Sequence, residues 1–502
     1  MKNHVNFFDK HTFERYVTSQ GAISFSDFVR QTADKKNPAM QNTTSILQYP
    51  TGYMYLDYAA GSYLTVHDPN DNDMPMFRYH NIGVASGQFI TTIAKTQGGK
   101  SSLTLALGSG IIEPYIQQWR YNQIMADLCS SQNIKVPVIE NYPFVEVLDS
   151  EHTMSIDYAR KVCRYTATMA ERYIRITDIV TDRDLMRALK KHIEYKIACL
   201  KKIPMPMVDT MNRPVYNYPP TVLIIDSLSN LLLEDAPEGT PEASNKKGDM
   251  LSIYESAIQN TAGARKAKTI GALISYLVDY AKKYNITIFS ISHIGKSLPG
   301  PNGIPTKAAF FLRPGESIVG GGERGLYLAS SMLRLDFFKT IGEEKATYLN
   351  LGPGINGREV IAQYVKCKTN SKVNPVKLAY TNLSGYDPLL SCLLNDKDNE
   401  TLAKSGNFYY LKDYPDYKFS LKNYAEVFGD HPEMFTAYYD DMKERAATML
   451  DNPDAIDERN KRFLEKARKD VHDTYGDGSR SDRDNMMDLD DLLLALSNSD
   501  AA

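Results

Sequence analysis

Residues 89–102 read FITTIAKTQGGKSS, and they carry the clearest indication of the fold class. Phe89–Ala94 is a short apolar run that predicts a buried strand, and an apolar helix is predicted to begin at Leu103. The residues between them follow the pattern of a phosphate-binding loop, or P-loop, which surrounds phosphate groups with backbone N–H groups and a helix N-terminus. A strand, this loop and a helix in that order predict a nucleotide site.

Within the P-loop, each residue type has its own expected task. Lys100 is expected to reach the β- and γ-phosphates of ATP, and the Ser101 hydroxyl to bind Mg²⁺. Ala94 stands where the pattern has its first glycine, and we expect flexibility further along the loop to leave room for its methyl group. The residues predicted to contact the nucleotide are Gly98, Gly99, Lys100, Ser101 and Ser102.

Three more apolar runs predict strands: Phe144–Asp149, Val222–Asp226 and Ile286–Ser292. Long helical stretches separate all four strands, which predicts an α/β fold with a mostly parallel central sheet. The carboxyl ends of parallel strands meet at one edge of a sheet, so polar residues that follow these strands are candidates for a shared site.

Each of these strand ends carries one such candidate. Asp226 is expected to bind Mg²⁺ through water, the alternative being a helix N-cap. Glu151 could orient and polarise the water that attacks the γ-phosphate, although glutamates are also common on surfaces. His293 ends an otherwise apolar strand, where a hydrogen-bonded core histidine is the alternative.

The composition excludes several classes of protein. The 502 residues include 58 Lys and Arg against 61 Asp and Glu, so nucleic-acid binding would need local basic patches. The five cysteines are scattered without a CxxC pair, which argues against a zinc ribbon or a disulfide framework and favours a reducing cytoplasm. No apolar run of 18 residues and no signal peptide are seen, so no membrane association is expected.

The chain is expected to divide into four parts: a helical N-terminal arm at 1–45, a core at 46–395, a helical C-terminal domain at 396–475 and an acidic tail at 476–502. Four segments rich in turn-forming residues are expected to be loops: 67–75, 204–220, 234–249 and 296–323.

Several motifs, in this order along residues 50–395, resemble those of the RecA family of recombinases, and most closely the phage UvsX type. LDSEH at 148–152, with Tyr158 beyond it, is similar to the family segment that carries the catalytic glutamate and an adenine contact. IDS at 225–227 resembles its Walker B segment, and SHI at 292–294 stands where the family has its γ-phosphate sensor. VKCK at 365–368 is similar to a pair of basic residues that reach a neighbour's ATP.

The resemblance implies an ATP- and Mg²⁺-dependent enzyme, hydrolysing ATP to ADP and phosphate when DNA is bound. It implies a RecA-like core and a homo-oligomeric helical filament on single-stranded DNA that promotes pairing and strand exchange with homologous duplex DNA. Glu151, His293, Lys366 and Lys368 inherit catalytic roles, and Tyr158 packs on adenine. The resemblance also implies that two loops bind DNA, and the residues expected to do so are Arg265, Lys266, Lys268, Lys296, Arg313, Gly320, Gly321, Gly322 and Arg324.

Two other functions fit the same motifs: a hexameric replicative DNA helicase on the same fold, and a nucleotide-gated protein that coats single-stranded DNA with little turnover. The helicase gives no reason for the lysine pair at 366 and 368. The acidic tail, with its apolar run at 492–496, could compete with DNA or dock on a mediator or single-strand-binding protein, or could be a solvated end. A cytoplasmic location is expected, in a bacterial host if the protein comes from a phage.

Overall fold

The structure is a computed structural model of the chain. It describes the following residues, and all statements below refer to them: 48–68, 71–95, 98–130, 143–199, 202–208, 214–232, 262–296, 312–313, 315–318, 327–337, 348–351, 356–372, 374–397 and 402–450. The expectations for 1–45, 234–249 and the acidic tail at 476–502 lie outside these residues.

The described chain forms twenty strands, numbered in chain order. The first ten are β1 (Gln48–Tyr49), β2 (Ser62–Asp68), β3 (Asp71–Asn81), β4 (Val84–Ala85), β5 (Phe89–Ala94), β6 (Phe144–Asp149), β7 (Ile174–Asp178), β8 (Ile203–Val208), β9 (Pro214–Asn217) and β10 (Thr221–Asp226). The others are β11 (Ile286–Lys296), β12 (Glu316–Ile318), β13 (Ser331–Phe337), β14 (Tyr348–Asn350), β15 (Asn356–Cys367), β16 (Pro375–Thr381), β17 (Gly385–Asp387), β18 (Leu402–Ser405), β19 (Phe408–Leu411) and β20 (Tyr414–Phe419).

The helices of the described residues are α1 (Met54–Ala59), α2 (Lys100–Ser130), α3 (Ile156–Cys163), α4 (Ala167–Tyr173), α5 (Asp182–Cys199), α6 (Ala262–Tyr284), α7 (Pro388–Asp396), α8 (Tyr424–Asp430) and α9 (Pro432–Ala447). Some of these helices have a side-chain N-cap. The Ser155 hydroxyl caps α3, and the Asp387 carboxylate caps α7 by accepting a hydrogen bond from Leu390 N at 2.8 Å. None of these helices is long and apolar enough to cross a membrane.

A central sheet holds eleven of the described strands in the order β17-β16-β15-β13-β5-β11-β10-β6-β7, with β12 beside β11 and β14 beside β15. The six strands from β13 to β7 are mutually parallel, and the other five pair antiparallel. The prediction of an α/β fold with a mostly parallel sheet is therefore confirmed.

Helices cover both faces of this sheet, as the apolar composition of its strands requires. Along β10, Val222 and Ile224 face α2, where Gly108 packs against them. Leu223 and Ile225 belong to the core cluster formed with α5 and α6 on the other face. Successive side chains of a strand point to opposite faces of the sheet, so this one buried strand contributes to the hydrophobic core on both faces.

Three predictions about the local structure are wrong. The segments 67–75 and 204–220 are not simple loops, because they contribute to the antiparallel hairpins β2–β3 and β8–β9. Most of the residues of these hairpins, 64–78 and 202–217, belong to a compact unit separate from the one that contains the sheet. The region 402–419, expected to be helical, instead forms the antiparallel sheet β18–β19–β20, followed by α8 and α9.

Candidate functional site

The carboxyl ends of β5, β11, β10 and β6 lie side by side, and they bring three predicted residues to the edge of the sheet where the P-loop begins. His293 on β11 pairs in register with Ala94, the last residue of β5. Asp226 ends β10 and pairs with Asp149, which ends β6 two residues before Glu151. Residues that are spread over 200 positions of the sequence are therefore brought together by the order of these strands in the sheet.

The P-loop joins β5 to α2, and its two glycines fit their surroundings closely. A side chain on Gly98 would place its Cβ 2.6 Å from the Ala94 Cβ, which is too close. The Ala94 methyl group therefore fits because residue 98 has no side chain. Gly99 has a φ of +73°, a conformation that favours glycine. Ala94 is therefore accommodated because a glycine lies opposite it.

Lys100 is 5% exposed and begins α2. Its ammonium group donates hydrogen bonds to Lys95 O at 2.9 Å and Ala94 O at 3.4 Å. Burial lowers the pKa of Lys100, while the carboxylates of Asp226 and Glu151 oppose that shift. The two carboxylates help Lys100 stay charged in its buried position, and a cation at a helix N-terminus is suited to bind an anion.

Two serines at the start of α2 reach in different directions. Burial raises the pKa of the Asp226 carboxyl to about 6, and the nearby Ser101 hydroxyl opposes that shift. The Ser102 hydroxyl hydrogen-bonds the Tyr158 hydroxyl on α3, which places that predicted adenine contact beside the P-loop. Burial also raises the pKa of Tyr158.

Mg²⁺ requires oxygen ligands, and the Ser101 hydroxyl and the Asp226 carboxylate supply them at one point. Among the residues that the structure describes, no cluster of three or more His, Cys, Asp and Glu side chains could hold a metal ion by itself. Mg²⁺ does not need such a cluster, because it commonly takes one or two protein oxygens and completes its shell with phosphate and water. The pair Ser101 and Asp226 therefore fits Mg²⁺.

Glu151 is held from two sides. Its Oε1 accepts a hydrogen bond from Asn230 Nδ2 at 3.0 Å and lies 3.3 Å from His293 Nε2. The side chains of Glu151 and His293 are 29% and 25% exposed, so both can meet a ligand. Asn230 was missed from the sequence, although it follows Asp226 by four residues in the turn after β10.

Asp149 was also missed as a functional residue, and it builds the loop that carries Glu151. Its carboxylate, on a residue 1% exposed, accepts four backbone N–H groups at 2.7–3.0 Å. These donors are the backbone N–H groups of Glu151, His152, Thr153 and Met154. The signal available in the sequence was an aspartate at the carboxyl end of an apolar strand.

Lys366 and Lys368 lie far from this edge. Lys366 pairs with Met332 of β13, which pairs with Thr91 of β5, and Lys368 N donates to Ser330 O beside the start of β5. The pair is therefore near the amino end of β5, about 10 and 16 Å along the strands from Ala94. Burial and Lys368 together lower the pKa of Lys366.

The predicted DNA-binding residues are described only in part. Lys296 ends β11, and Arg313 is 54% exposed and pairs with Asp336 at 2.9 Å. The backbone of Arg265, Lys266 and Lys268 lies in the first turns of α6, while their side chains are outside the description. Gly320, Gly321, Gly322 and Arg324 also lie outside the described residues.

A buried ion-pair network, missed from the sequence, lies beside Arg313. Arg334 on β13 is 4% exposed, and its guanidinium bonds Glu316 of β12 at 2.9–3.0 Å and Asp336 at 2.7 Å. The guanidinium of Arg334 lowers the pKa of Glu316. This network anchors β12, and hence the described part of the segment 296–323, to the central sheet.

Comparison of the sequence with protein-family models and with curated proteins found no match.

Proposed function

We propose that the chain is an ATP-dependent recombination protein with a RecA-like core, which forms a helical filament on single-stranded DNA. In that filament it promotes pairing and strand exchange with homologous duplex DNA. One observation carries the proposal: across the sheet, Lys366 is level with Thr91 and Lys368 with the start of β5, about 10 and 16 Å along the strand direction from the P-loop end of β5. The RecA-like motifs in the sequence supply the rest of the argument.

The P-loop edge has the parts that phosphoryl transfer to water requires, namely positioning and charge neutralisation. Lys100 supplies a cation for the β- and γ-phosphates, and Ser101 with Asp226 would hold Mg²⁺, which neutralises phosphate charge when bound. Glu151, fixed by Asn230 and by the loop on Asp149, orients the attacking water and accepts its proton. His293 lies beside both the P-loop and Glu151.

In the proposed assembly the lysine pair does not serve the P-loop of its own chain, because three to five residues of extended strand separate their backbones from the P-loop end of β5. A head-to-tail arrangement of identical chains would bring the amino ends of one sheet to the P-loop edge of the next. Repeated interfaces of this type build a helix or close into a ring. In such an assembly Lys366 and Lys368 neutralise charge on the neighbour's ATP, so hydrolysis depends on assembly.

The same interface geometry favours a second candidate, a closed-ring DNA helicase. Ring and filament differ in rotation between neighbours, which the fold of one chain does not fix. The lysine pair suits either assembly, so the RecA-like motifs in the sequence favour the recombinase, which remains the proposed function.

The decisive experiment combines ATPase assays with electron microscopy. With Mg²⁺-ATP, single-stranded DNA should stimulate hydrolysis, and with a non-hydrolysable analogue it should support helical filaments. Lys100→Ala, which lacks the P-loop cation, should do neither. Closed rings with unwinding activity would establish the helicase, whereas filaments without DNA-stimulated turnover would establish a coating protein.

A further inference from the structure

Tyr386, in the middle of β17, has a buried hydroxyl group that none of the functions above uses. The residue is 0% exposed, and among the described residues its hydroxyl has no hydrogen-bond partner. Most buried hydroxyls are paired, because an unpaired buried donor loses its bonds to water without replacement. This hydroxyl therefore calls for an explanation.

The hydroxyl is aimed at the P-loop. A Cβ built on Gly99 would lie 2.5 Å from Tyr386 Oη and 3.3 Å from its Cζ. Gly99 thus lies directly against the tyrosine, and both this contact and its φ of +73° require glycine there. Tyr386 is the side chain that supports the P-loop at the residue before Lys100.

Neighbouring groups hold Tyr386 in this position. Its backbone oxygen accepts hydrogen bonds from Tyr53 Oη at 3.1 Å and from Arg164 Nη2 at 3.2 Å. Its ring packs edge-on against Tyr380, with 5.2 Å between ring centroids. Burial raises the pKa of the Tyr386 phenol, so the hydroxyl keeps its proton and remains a donor.

The hydrogen bonds of Lys100 indicate when that donor finds its acceptor. The ammonium group of Lys100 donates to Lys95 O and Ala94 O, two carbonyls of the same loop. When the ammonium group turns to phosphate, Ala94 O and Lys95 O both lose this charged donor; Lys95 O keeps the Gly98 N–H at 3.1 Å and has one acceptor position free again. Tyr386, fixed against Gly99, is a donor at the loop that is still uncommitted.

We propose that Tyr386 is a positioning residue of the nucleotide site. With a nucleoside triphosphate bound, its hydroxyl donates to a backbone carbonyl of the P-loop and thereby fixes the N–H of Gly99 toward the phosphates. The bond forms only with nucleotide present, so it contributes to affinity rather than to the stability of the nucleotide-free protein. This inference rests on the proposed nucleotide binding.

The test compares Tyr386→Phe with Tyr115→Phe in the full chain. Tyr115 is a buried tyrosine on α2, fifteen residues after Lys100 and roughly 22 Å along the helix, so it controls for loss of a buried hydroxyl. The dissociation constant for Mg²⁺-ATP should rise roughly fivefold in Tyr386→Phe and stay unchanged in Tyr115→Phe. In ATPase assays the KM of Tyr386→Phe should rise by the same factor while kcat stays within twofold.

The melting temperature of nucleotide-free Tyr386→Phe should equal or exceed that of the wild type, because the lost hydroxyl has no partner there. A lower melting temperature without nucleotide, or wild-type affinity for Mg²⁺-ATP, would overturn the inference. A wild-type protein that binds no ATP would overturn the proposed function itself. That outcome is recognised without any variant, so the two failures are distinct.

Discussion

His293 Nε2 lies 3.3 Å from Oε1 of Glu151, and the backbone of His293 is paired in register with Ala94 at the start of the P-loop. One residue thus touches the candidate base and borders the phosphate-binding loop. Three residues after it, β11 ends at Lys296, which pairs with Glu316 of β12. If the proposed function holds, a change at the γ-phosphate has a short path, along one strand, to a predicted DNA-binding segment.

Glu151→Gln should separate nucleotide binding from turnover. Glutamine keeps the size of the side chain but cannot accept a proton from water, so hydrolysis should fall about 100-fold or more while Mg²⁺-ATP affinity stays near the wild-type value. Binding would be measured by titration calorimetry and turnover by phosphate release. Glu171→Gln, at an exposed glutamate on α4, is the control, and wild-type hydrolysis by Glu151→Gln would contradict the assignment of the base.

Asp149→Asn should weaken the loop that carries Glu151. The carboxylate accepts four N–H groups, and the amide offers one acceptor oxygen in place of two. We expect a loss of roughly 2 kcal/mol in the free energy of unfolding, measured by urea denaturation, and a lower kcat. Asp178→Asn is the matched control, since Asp178 ends the neighbouring strand in register with Asp149 but is exposed. Equal effects of the two substitutions on the free energy of unfolding and on kcat would mean that the four hydrogen bonds of Asp149 do not stabilise this loop.

The buried carboxylate of Asp226 predicts a pH dependence. Its pKa in the folded protein is about 6, above the value of about 3.9 for an unfolded chain, so the folded state binds a proton more tightly. The contribution of Asp226 to stability therefore falls as pH rises from about 4 to 6 and stays low above that. Asp226→Asn should stabilise the nucleotide-free protein at pH 8 by up to about 3 kcal/mol relative to its effect near pH 4.

Mg²⁺-dependent ATP binding should show the opposite trend for the same group. The wild-type protein should lose affinity as pH falls through about 6, because the protonated carboxyl no longer attracts a cation. Asp226→Asn should bind weakly at every pH. Urea denaturation and ATP titration at matched pH values measure both effects, and a stability difference that is the same at pH 4 and pH 8 would show that the carboxyl is not titrating in this range.

Much of this site follows from the sequence, because each strand end is a local signal. The P-loop, Glu151, Asp226 and His293 each follow an apolar run, and parallel strands bring such ends together. The order of the strands is not local, and neither are the contacts that give Asp149, Asn230 and Arg334 their partners. Tyr386 lies 287 residues after Gly99 in the chain, so the local sequence around either residue does not predict their contact.

The wrong predictions concern hairpins whose turns were overlooked. Ser405 and Phe408 pair across Gly406-Asn407, a two-residue connection with Gly406 at a φ of +64°. Gly-Asn between two short runs is a recognised hairpin signal. The charged composition of that region favours a helix, and this two-residue turn is the local signal that points to strands instead.

Arg313→Ala should reduce both the affinity for single-stranded DNA and its salt dependence. Each lost phosphate contact lowers the slope of log K against log salt by about 0.7. In the DNA-free protein Arg313 pairs with Asp336, so part of its charge is already neutralised before DNA binds. Arg187→Ala, at an exposed arginine that pairs with Asp184 at 3.0 Å on α5, is the control. Fluorescence anisotropy across salt concentrations measures the slope, and an unchanged slope in Arg313→Ala would place the DNA elsewhere.

The lysine pair gives the sharpest test of the assembly, which mixes two inactive variants. Lys366→Ala/Lys368→Ala keeps its own P-loop and Glu151, while Lys100→Ala keeps the lysine pair but cannot use ATP. Each alone should show no DNA-dependent hydrolysis. In a mixture, some interfaces join an intact P-loop to an intact lysine pair on the neighbour, and those interfaces should hydrolyse ATP.

The rescue should depend on the mixing ratio and be greatest near equal amounts, where such mixed interfaces are most frequent. Co-assembly on DNA must be demonstrated first, for example by energy transfer between differently labelled variants. Because neither variant carries both an intact P-loop and an intact lysine pair, recovered hydrolysis can come only from an interface between two chains. Co-assembly without recovered hydrolysis at any ratio would mean that the lysines do not act on a neighbour's ATP, and the filament proposal would lose its main structural support.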